Sequence, residues 1–395
     1  MLEIQVPPSY PLGCKIVFVG EAPGKEEVDA KEGFVGAAGR ALQRACSIAG
    51  LEWSQCGKTN IAKRRPSDNK FKEAFYETIE EPIYTPTGKL SKKTRKVTQP
   101  TAELRAWQAN LVEELRQQRV NLVVAMGNEA LETLTGVTGI TNYRGSILPT
   151  LYDPNCKVLA CEHPSYILRG NHRDFWILAH DLKKAKREME FPEVRREPYV
   201  AMIAPELTKN WILDLLELVR KFPDMKWTLD VETRAGTLAC FAIAFQGEDA
   251  QPTAFCIPIQ TTSGAYWSPQ EEMEIWRALY ETCNSNPNLC NQNIEYDIYY
   301  LLRYGVEPSG VWMDTMLAHS ILYPEFPKGL DFLCSFYLDD VVYYKGEGRN
   351  WGAGDRDPEL WEYCCKDAVY TLRVVEKIDE ELKRRGLHEA YHGAH

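Results

Sequence analysis

Short apolar runs that end on glycine set the architecture of the first half of this chain. Lys15-Ile16-Val17-Phe18-Val19 runs into the turn Gly20-Glu21-Ala22-Pro23-Gly24, and a helix-forming pattern follows over residues 39–49. Asn121-Leu122-Val123-Val124-Ala125-Met126 ends at Gly127 and opens a second helical stretch over residues 128–135, while Lys157-Val158-Leu159-Ala160-Cys161 reads as a third strand. Strand, glycine turn and helix in alternation predict an α/β unit on a parallel sheet.

The second half is ordered differently. Strands are expected at residues 199–204, 226–231, 239–245 and 253–257, the last three as an antiparallel meander, with a helix over 207–221 between the first two. Helical patterns then follow at 270–284, 296–304, 314–321 and 360–384. Strands first and helices afterwards predict an α+β unit with a mixed sheet. The chain, at 395 residues, is too long for one ordinary core. The charged stretch from Glu190, with Pro192 and Pro198, is the natural joint. The expected organisation is therefore a first domain over 1–190, a linker over 191–198 and a second domain over 199–395. Residues 67–100 interrupt the first domain as an inserted hairpin or loop. Its Lys89, Lys92, Lys93, Arg95 and Lys96 form either a solvated charge run or a contact for a phosphate backbone.

The formal charge of -10 divides unevenly, net +4 over residues 1–200 and -14 over 201–395. An acidic total argues against a protein that merely coats DNA by counterion release, and leaves room for enzymes with local basic surfaces or metal ions. Twelve cysteines with no apolar leader after Met1 and no membrane-spanning run predict reduced thiols in a cytoplasmic protein without a membrane partner.

Acidic residues recur in four segments of the second half: Asp230-Val231-Glu232, Asp297, Asp314, and Tyr363-Cys364-Cys365-Lys366-Asp367. Asp230 and Glu232 are two apart on a strand and point to one face; Tyr363 and Asp367 are four apart on a helix and share a face as well. Carboxylates converging from separate elements suit a pair of divalent ions, one activating a water and the other stabilising a leaving 3′ oxygen. Each acid alone reads equally as a surface charge. The set resembles the 3′–5′ proofreading exonuclease domain of family A DNA polymerases, of the DEDDy class. The resemblance rests on Leu229-Asp230-Val231-Glu232-Thr233, on the stretch 291–306 with the trailing Asp314-Thr315-Met316-Leu317, and on 363–372, and it spans roughly 198–385. It implies an RNase H-like fold and metal binding by Asp230, Glu232, Asp297 and Asp367, two Mg²⁺ or Mn²⁺ per site. It also implies a water-orienting role for Tyr363. Asp314 falls outside that metal set and reads as a helix cap.

The first half carries a second ordered set: the turn at 20–24, Gly33-Phe34-Val35-Gly36, Thr59-Asn60-Ile61-Ala62, the strand ending at Gly127, and Glu162-His163-Pro164-Ser165-Tyr166-Ile167-Leu168-Arg169. It resembles the uracil-DNA glycosylase superfamily, nearest its family 4 type, over roughly 13–187. Cutting an N-glycosidic bond calls for an extruded base to be stacked, read at its edge and stabilised as it departs with negative charge. The resemblance implies that Phe34 stacks, Asn60 reads the uracil edge, His163 donates to the developing oxyanion, and Glu21 and Glu27 lie near sugar and water. Glu27 is the choice for water positioning or oxocarbenium stabilisation. Arg169 and residues 164–168 would support opened DNA, with Lys92 and Lys93 as further DNA contacts. Only Cys14 lies upstream of the first strand, Ala62-Lys63-Arg64-Arg65 lacks a cysteine, and Trp107 stands near where another ligand would fall. Cys46, Cys56, Cys156 and Cys161 lack ligand spacing, so no iron–sulfur cluster is expected. Val28 and Gly33 replace residues usually acidic and proline, and residues 138–145 hold no histidine for a covalent adduct.

The expectation is a two-domain DNA replication or repair enzyme acting on 3′ ends and on uracil-containing DNA. Only residues 388–395 follow Leu387, which leaves no polymerase domain here. The setting expected is a phage-infected host cell, with a DNA polymerase either as a partner or as the rest of a longer chain. The competing expectation makes the first domain a non-catalytic DNA- or uracil-binding module feeding the exonuclease.

Overall fold

The apolar runs of the first half become the centre of a five-stranded sheet. The computed structural model describes residues 2–84, 90–247, 251–347 and 356–393, without the side chains of 84 and 90–93. It divides into two compact units, Met1–Arg195 and Arg196–His395. The strands of the first unit are β1 (Ile16–Gly20), β2 (Gly57–Asn60), β3 (Tyr76–Tyr84), β4 (Leu90–Pro100), β5 (Leu122–Met126), β6 (Ile147–Pro149) and β7 (Lys157–Cys161). The sheet runs β2-β1-β5-β7-β6, parallel throughout except for the edge strand β6, which is antiparallel to β7. Every residue of β1, β5 and β7 is buried, as strands covered on both faces must be. Within the interruption at 67–100, β3 and β4 pair antiparallel.

The helices of this unit are α1 (Lys25–Ala30), α2 (Ala37–Ala49), α3 (Phe71–Phe75), α4 (Ala102–Gln118), α5 (Asn128–Thr135), α6 (Ile140–Tyr143), α7 (Pro164–Leu168) and α8 (Asp174–Glu188). Leu42, Ala45 and Ala49 of α2 and Leu178, Leu182 and Ala185 of α8 pack on Ile16, Phe18, Leu122, Val124 and Leu159 of the sheet. Because β1, β5 and β7 run the same way, the turns after Gly20, Met126 and Cys161 open at one end of the sheet, where open α/β folds bind ligands.

In the second unit the strands are β8 (Val200–Met202), β9 (Trp227–Arg234), β10 (Thr237–Gln246), β11 (Pro252–Pro258), the short pair β12 (Gln260–Thr261) and β13 (Gly264–Ala265), β14 (Leu289–Asn291) and β15 (Met313–Asp314). The main sheet runs β15-β14-β9-β10-β11-β8. β10 is antiparallel to β9 and β11, while β14 and β15 continue parallel from β9. This is the RNase H-like order, with the second strand reversed.

Its helices are α9 (Lys209–Lys221), α10 (Pro269–Ser285), α11 (Ile294–Leu302), α12 (Thr315–Leu322), α13 (Leu330–Tyr337), α14 (Asp357–Arg384) and α15 (His388–His392). Alternation along β10 sorts the two faces. Phe241, Ile243 and Phe245 meet Ile212, Leu216, Ile275 and Leu279 of α9 and α10. Cys240, Ala242 and Ala244 face the other way, where with Ala254 and Cys256 they meet Cys364, Cys365, Ala368 and Val369 of α14. Small side chains on both surfaces let a 28-residue helix lie close against the sheet.

Candidate functional site in each unit

β9 and α14 assemble the site of the second unit. Asp230 and Glu232 lie opposite Ala242 and Cys240 of β10, on the face that α14 covers. The Thr228 hydroxyl donates to the Ala368 carbonyl at 2.8 Å and fastens strand to helix. Carboxylate oxygens of Asp230, Glu232 and Asp367 then lie within 4.8 Å of one another. Asp297, in the first turn of α11, is 3% exposed and accepts the Val231 amide proton at 2.8 Å. Its carboxylate is thus anchored on β9 between Asp230 and Glu232 in sequence, but stands outside the three-oxygen cluster. The Asp314 carboxylate accepts from the amides of Asn293, Ile294, Met316 and Leu317, which satisfies the open starts of α11 and α12.

Burial, then the charge of Asp367, pushes Asp230 up to about 8. Burial, then Asp230 and Asp367, pushes Glu232 up to about 10. Burial followed by Asp230 raises Asp297 well above the usual carboxylate range. Acids this crowded oppose their own ionisation, and a divalent cation among them relieves both the burial and the repulsion. Hard oxygen donors of this kind suit Mg²⁺ or Mn²⁺.

Two neighbours carry no periodic signal in the sequence. Lys345 forms an ion pair with Asp367, whose other oxygen accepts the Tyr344 hydroxyl. The Lys345 ammonium lies 5.0 Å from the ring centroid of Tyr363. Burial would discharge it, yet Asp367, Tyr363 and Asp230 together raise its pKa. Burial and then Asp367 raise the Tyr363 phenol, so it keeps its proton.

In the first unit the turns at the sheet end enclose a cleft of about 460 Å³. It is lined by Glu21, Glu27, Phe34, Asn60, His163 and Arg169, drawn from five separate segments. Close packing shapes it. A Cβ on Gly20 would meet Asn60 Oδ1 at 2.4 Å and Phe34 Cζ at 3.1 Å, and one on Gly39 would meet the Phe34 carbonyl oxygen at 1.8 Å. Phe34 itself takes φ +61°, a conformation that side chains rarely adopt, and its ring centroid lies 6.4 Å from that of Trp53 in a T-shaped pair. The Glu27 carboxylate accepts the Gly36 amide proton at 3.0 Å, and a Cβ on Gly24 or Gly36 would meet it at 2.5 or 2.8 Å.

His163 caps α7. Its Nδ1 accepts the Ser165 amide proton at 3.2 Å, so the neutral ring carries its proton on Nε2. Burial, then Arg169, lowers this histidine to about 4. Burial, then Glu129, raises Glu21 to about 7. Glu162, which also lines the cleft, is raised to about 7 by burial and then Asp174. Arg169 is exposed at the end of α7, within 3.5 Å of the Ser165 hydroxyl. The side chains of Lys92 and Lys93 lie outside the described residues. Among the described residues no three cysteines of this unit gather as metal ligands.

Comparison with known proteins separates the same two parts. The sequence model of the uracil DNA glycosylase superfamily matches residues 7–188, and that of a 3′–5′ exonuclease matches residues 208–383. A type-4 uracil-DNA glycosylase from Thermotoga maritima is 29% identical over 44% of this chain and 78% of its own length. DNA polymerase I from Borreliella burgdorferi is 25% identical over 47% of this chain, but that stretch is only 20% of the polymerase. Escherichia coli RNase D, an exoribonuclease, aligns in structure with a TM-score of 0.34 and 21% identity, covering 49% of this chain and 47% of its own. No helix among the described residues is long and apolar enough to cross a membrane.

Proposed function

We propose, for a chain that joins a uracil-DNA glycosylase superfamily domain to a 3′–5′ exonuclease domain, that it trims DNA from 3′ ends by metal-dependent hydrolysis and excises uracil from DNA without metal. The convergence of Asp230, Glu232 and Asp367 within 4.8 Å carries the first activity, and the cleft lined by Phe34, Asn60 and His163 carries the second.

Asp230, Glu232, Asp297 and Asp367 would hold two Mg²⁺ or Mn²⁺, which when bound supply charge to activate water and to stabilise the departing 3′ oxygen. Tyr363, protonated and facing that cluster, hydrogen-bonds and orients the attacking water. Lys345 keeps Asp367 and Tyr363 in register and adds a positive charge beside the phosphate that becomes more negative in the transition state.

In the cleft Phe34 stacks on the flipped base, and the Asn60 amide reads its edge. As the N-glycosidic bond breaks, the electron pair moves onto uracil, and the His163 Nε2–H donates to the base oxygen where charge develops. A neutral imidazole suits this task because burial disfavours its cation. The Glu27 carboxylate, fixed by the Gly36 amide, would supply the negative neighbour that an oxocarbenium ion or its attacking water needs.

An oligonucleotide labelled at its 5′ end and bearing one internal uracil tests both activities. With Mg²⁺ it should shorten from the 3′ end; with EDTA it should stay full length and break at the uracil after alkali. Failure to break would reduce the first domain to a binding module. No shortening with either Mg²⁺ or Mn²⁺ would remove the exonuclease.

A further inference from the structure

The far end of α14 and the short helix α15 bring together a second set of metal-ligating side chains. Asp379 lies twelve residues beyond Asp367 on α14, about 18 Å along the helix. Asp379, His388 and His392 each offer one ligand atom, and these atoms lie within 4.8 Å of one another. His388-Glu389-Ala390-Tyr391-His392 places the two imidazoles four apart on one face of α15, with ring centroids 4.4 Å apart.

The surroundings of Asp379 are those of a metal ligand. It is 5% exposed, and its Oδ2 accepts from Lys226 at 3.2 Å and Lys383 at 2.9 Å. Its Oδ1 accepts no hydrogen bond, and lies 3.3 Å from His388 Nε2. An oxygen and a nitrogen at that distance are held either by a proton shared between them or by one metal ion that both ligate. The lysines orient the carboxylate as outer partners of a ligand do, although their charge weakens the hold on a cation.

We propose that Asp379, His388 and His392 form a site for a transition-metal ion of the Zn²⁺ type, with water completing its coordination. Two nitrogens and one oxygen favour such an ion over Mg²⁺, whereas the all-oxygen cluster on β9 and α14 favours Mg²⁺. Its role is structural. Tyr391, between the two histidines, is 2% exposed, and its hydroxyl accepts the Asp314 amide proton at 2.8 Å. Asp314 in turn holds the start of α11, the helix that carries Asp297. An ion joining α14 to α15 fastens Tyr391 beneath that support.

The test uses the full chain, stripped of metal and then given Zn²⁺ in the presence of excess Mg²⁺ to keep the all-oxygen cluster filled. Retention of one Zn²⁺, with two imidazoles in its X-ray absorption spectrum and a rise in Tm, is the expected result. The double variant His388→Gln, His392→Gln should melt as the metal-free protein does, and bind Zn²⁺ roughly a hundredfold more weakly. No Zn²⁺ retained under these conditions would overturn the site and leave a plain His388–Asp379 contact. Sulfur in the absorption spectrum would overturn it equally, by moving the ion to the buried thiols of Cys240, Cys256 and Cys364. Should the double variant fail to fold, the wild-type spectrum decides alone.

Discussion

Replacing Lys345 with methionine leaves Asp367 its Tyr344 hydroxyl and removes its countercharge. A buried carboxylate stripped of its partner costs about 3 kcal/mol, so Lys345→Met should melt earlier in EDTA and recover part of the loss in Mg²⁺, while 3′ trimming slows. Equal melting of variant and wild type in EDTA would show that the ammonium is not what balances Asp367. Three further residues set a pH profile for uracil excision. Glu21 and Glu162 both titrate at about 7, so the profile should bend there, weaken in Glu21→Gln and lose the bend only when Glu162→Gln is added. His163 resists protonation down to about 4. It adds no bend near its ordinary 6.5, and because the unfolded imidazole takes a proton before the folded one, this residue's own contribution to stability falls on acidification from 6.5 toward 4, while the raised Glu21 and Glu162 act in the opposite sense. A step near 6.5 that survives when Glu21→Gln and Glu162→Gln are combined would contradict the buried, neutral ring. The strand spacing of Asp230 and Glu232 and the helix spacing of Tyr363 and Asp367 were legible because i,i+2 and i,i+4 fix a face without knowledge of tertiary structure. Tyr344 and Lys345 were not, since they enter from an irregular stretch with no period to read.

At the level of elements, the starts of α11 and α12 share one carboxylate. Asp314 accepts four amide protons, so Asp314→Asn should lower stability by about 1–2 kcal/mol and slow 3′ trimming less than tenfold, with the Mg²⁺ requirement unchanged. A loss as deep as that of Asp230→Ala would make Asp314 a ligand instead of a cap. The helix-starting role was readable from its position before an apolar helical run; the sharing with α11 was not, because it joins residues about twenty apart through two short strands. Local patterns also hid β2. Gly57-Lys58-Thr59-Asn60 has no apolar signal, yet all four residues are buried beside β1, and a Cβ on Gly57 would meet a Val17 methyl at 2.7 Å. The strand exists because β1 offers it a partner, and glycine is there because the partner is close. That placement delivers Asn60 to the cleft, so one feature of the candidate site depended on an element that propensity alone does not reveal.

Across the whole molecule, the order of elements was the most readable property: alternation gave a mainly parallel sheet, and strands before helices gave a mixed one. The charge asymmetry follows the same division, and it separates how the two activities should respond to salt. The first half is net positive, and its cleft, with exposed Arg169 on its rim, would draw DNA by displacing counterions from phosphates. With roughly three such contacts, log kcat/KM for uracil excision should fall with log salt at a slope of about -2 to -3. The second half is net negative, and at the carboxylate cluster attraction for the substrate would come chiefly from divalent ions when bound. Its 3′ trimming, at fixed saturating Mg²⁺, should therefore fall less steeply with added KCl. Parallel slopes for the two reactions on one oligonucleotide would mean that a single DNA-binding surface serves both. Diverging slopes, with Asp230→Ala abolishing trimming and leaving the excision slope unchanged, would mean that each half brings its own hold on DNA, so the reactions compete for a substrate instead of passing it along.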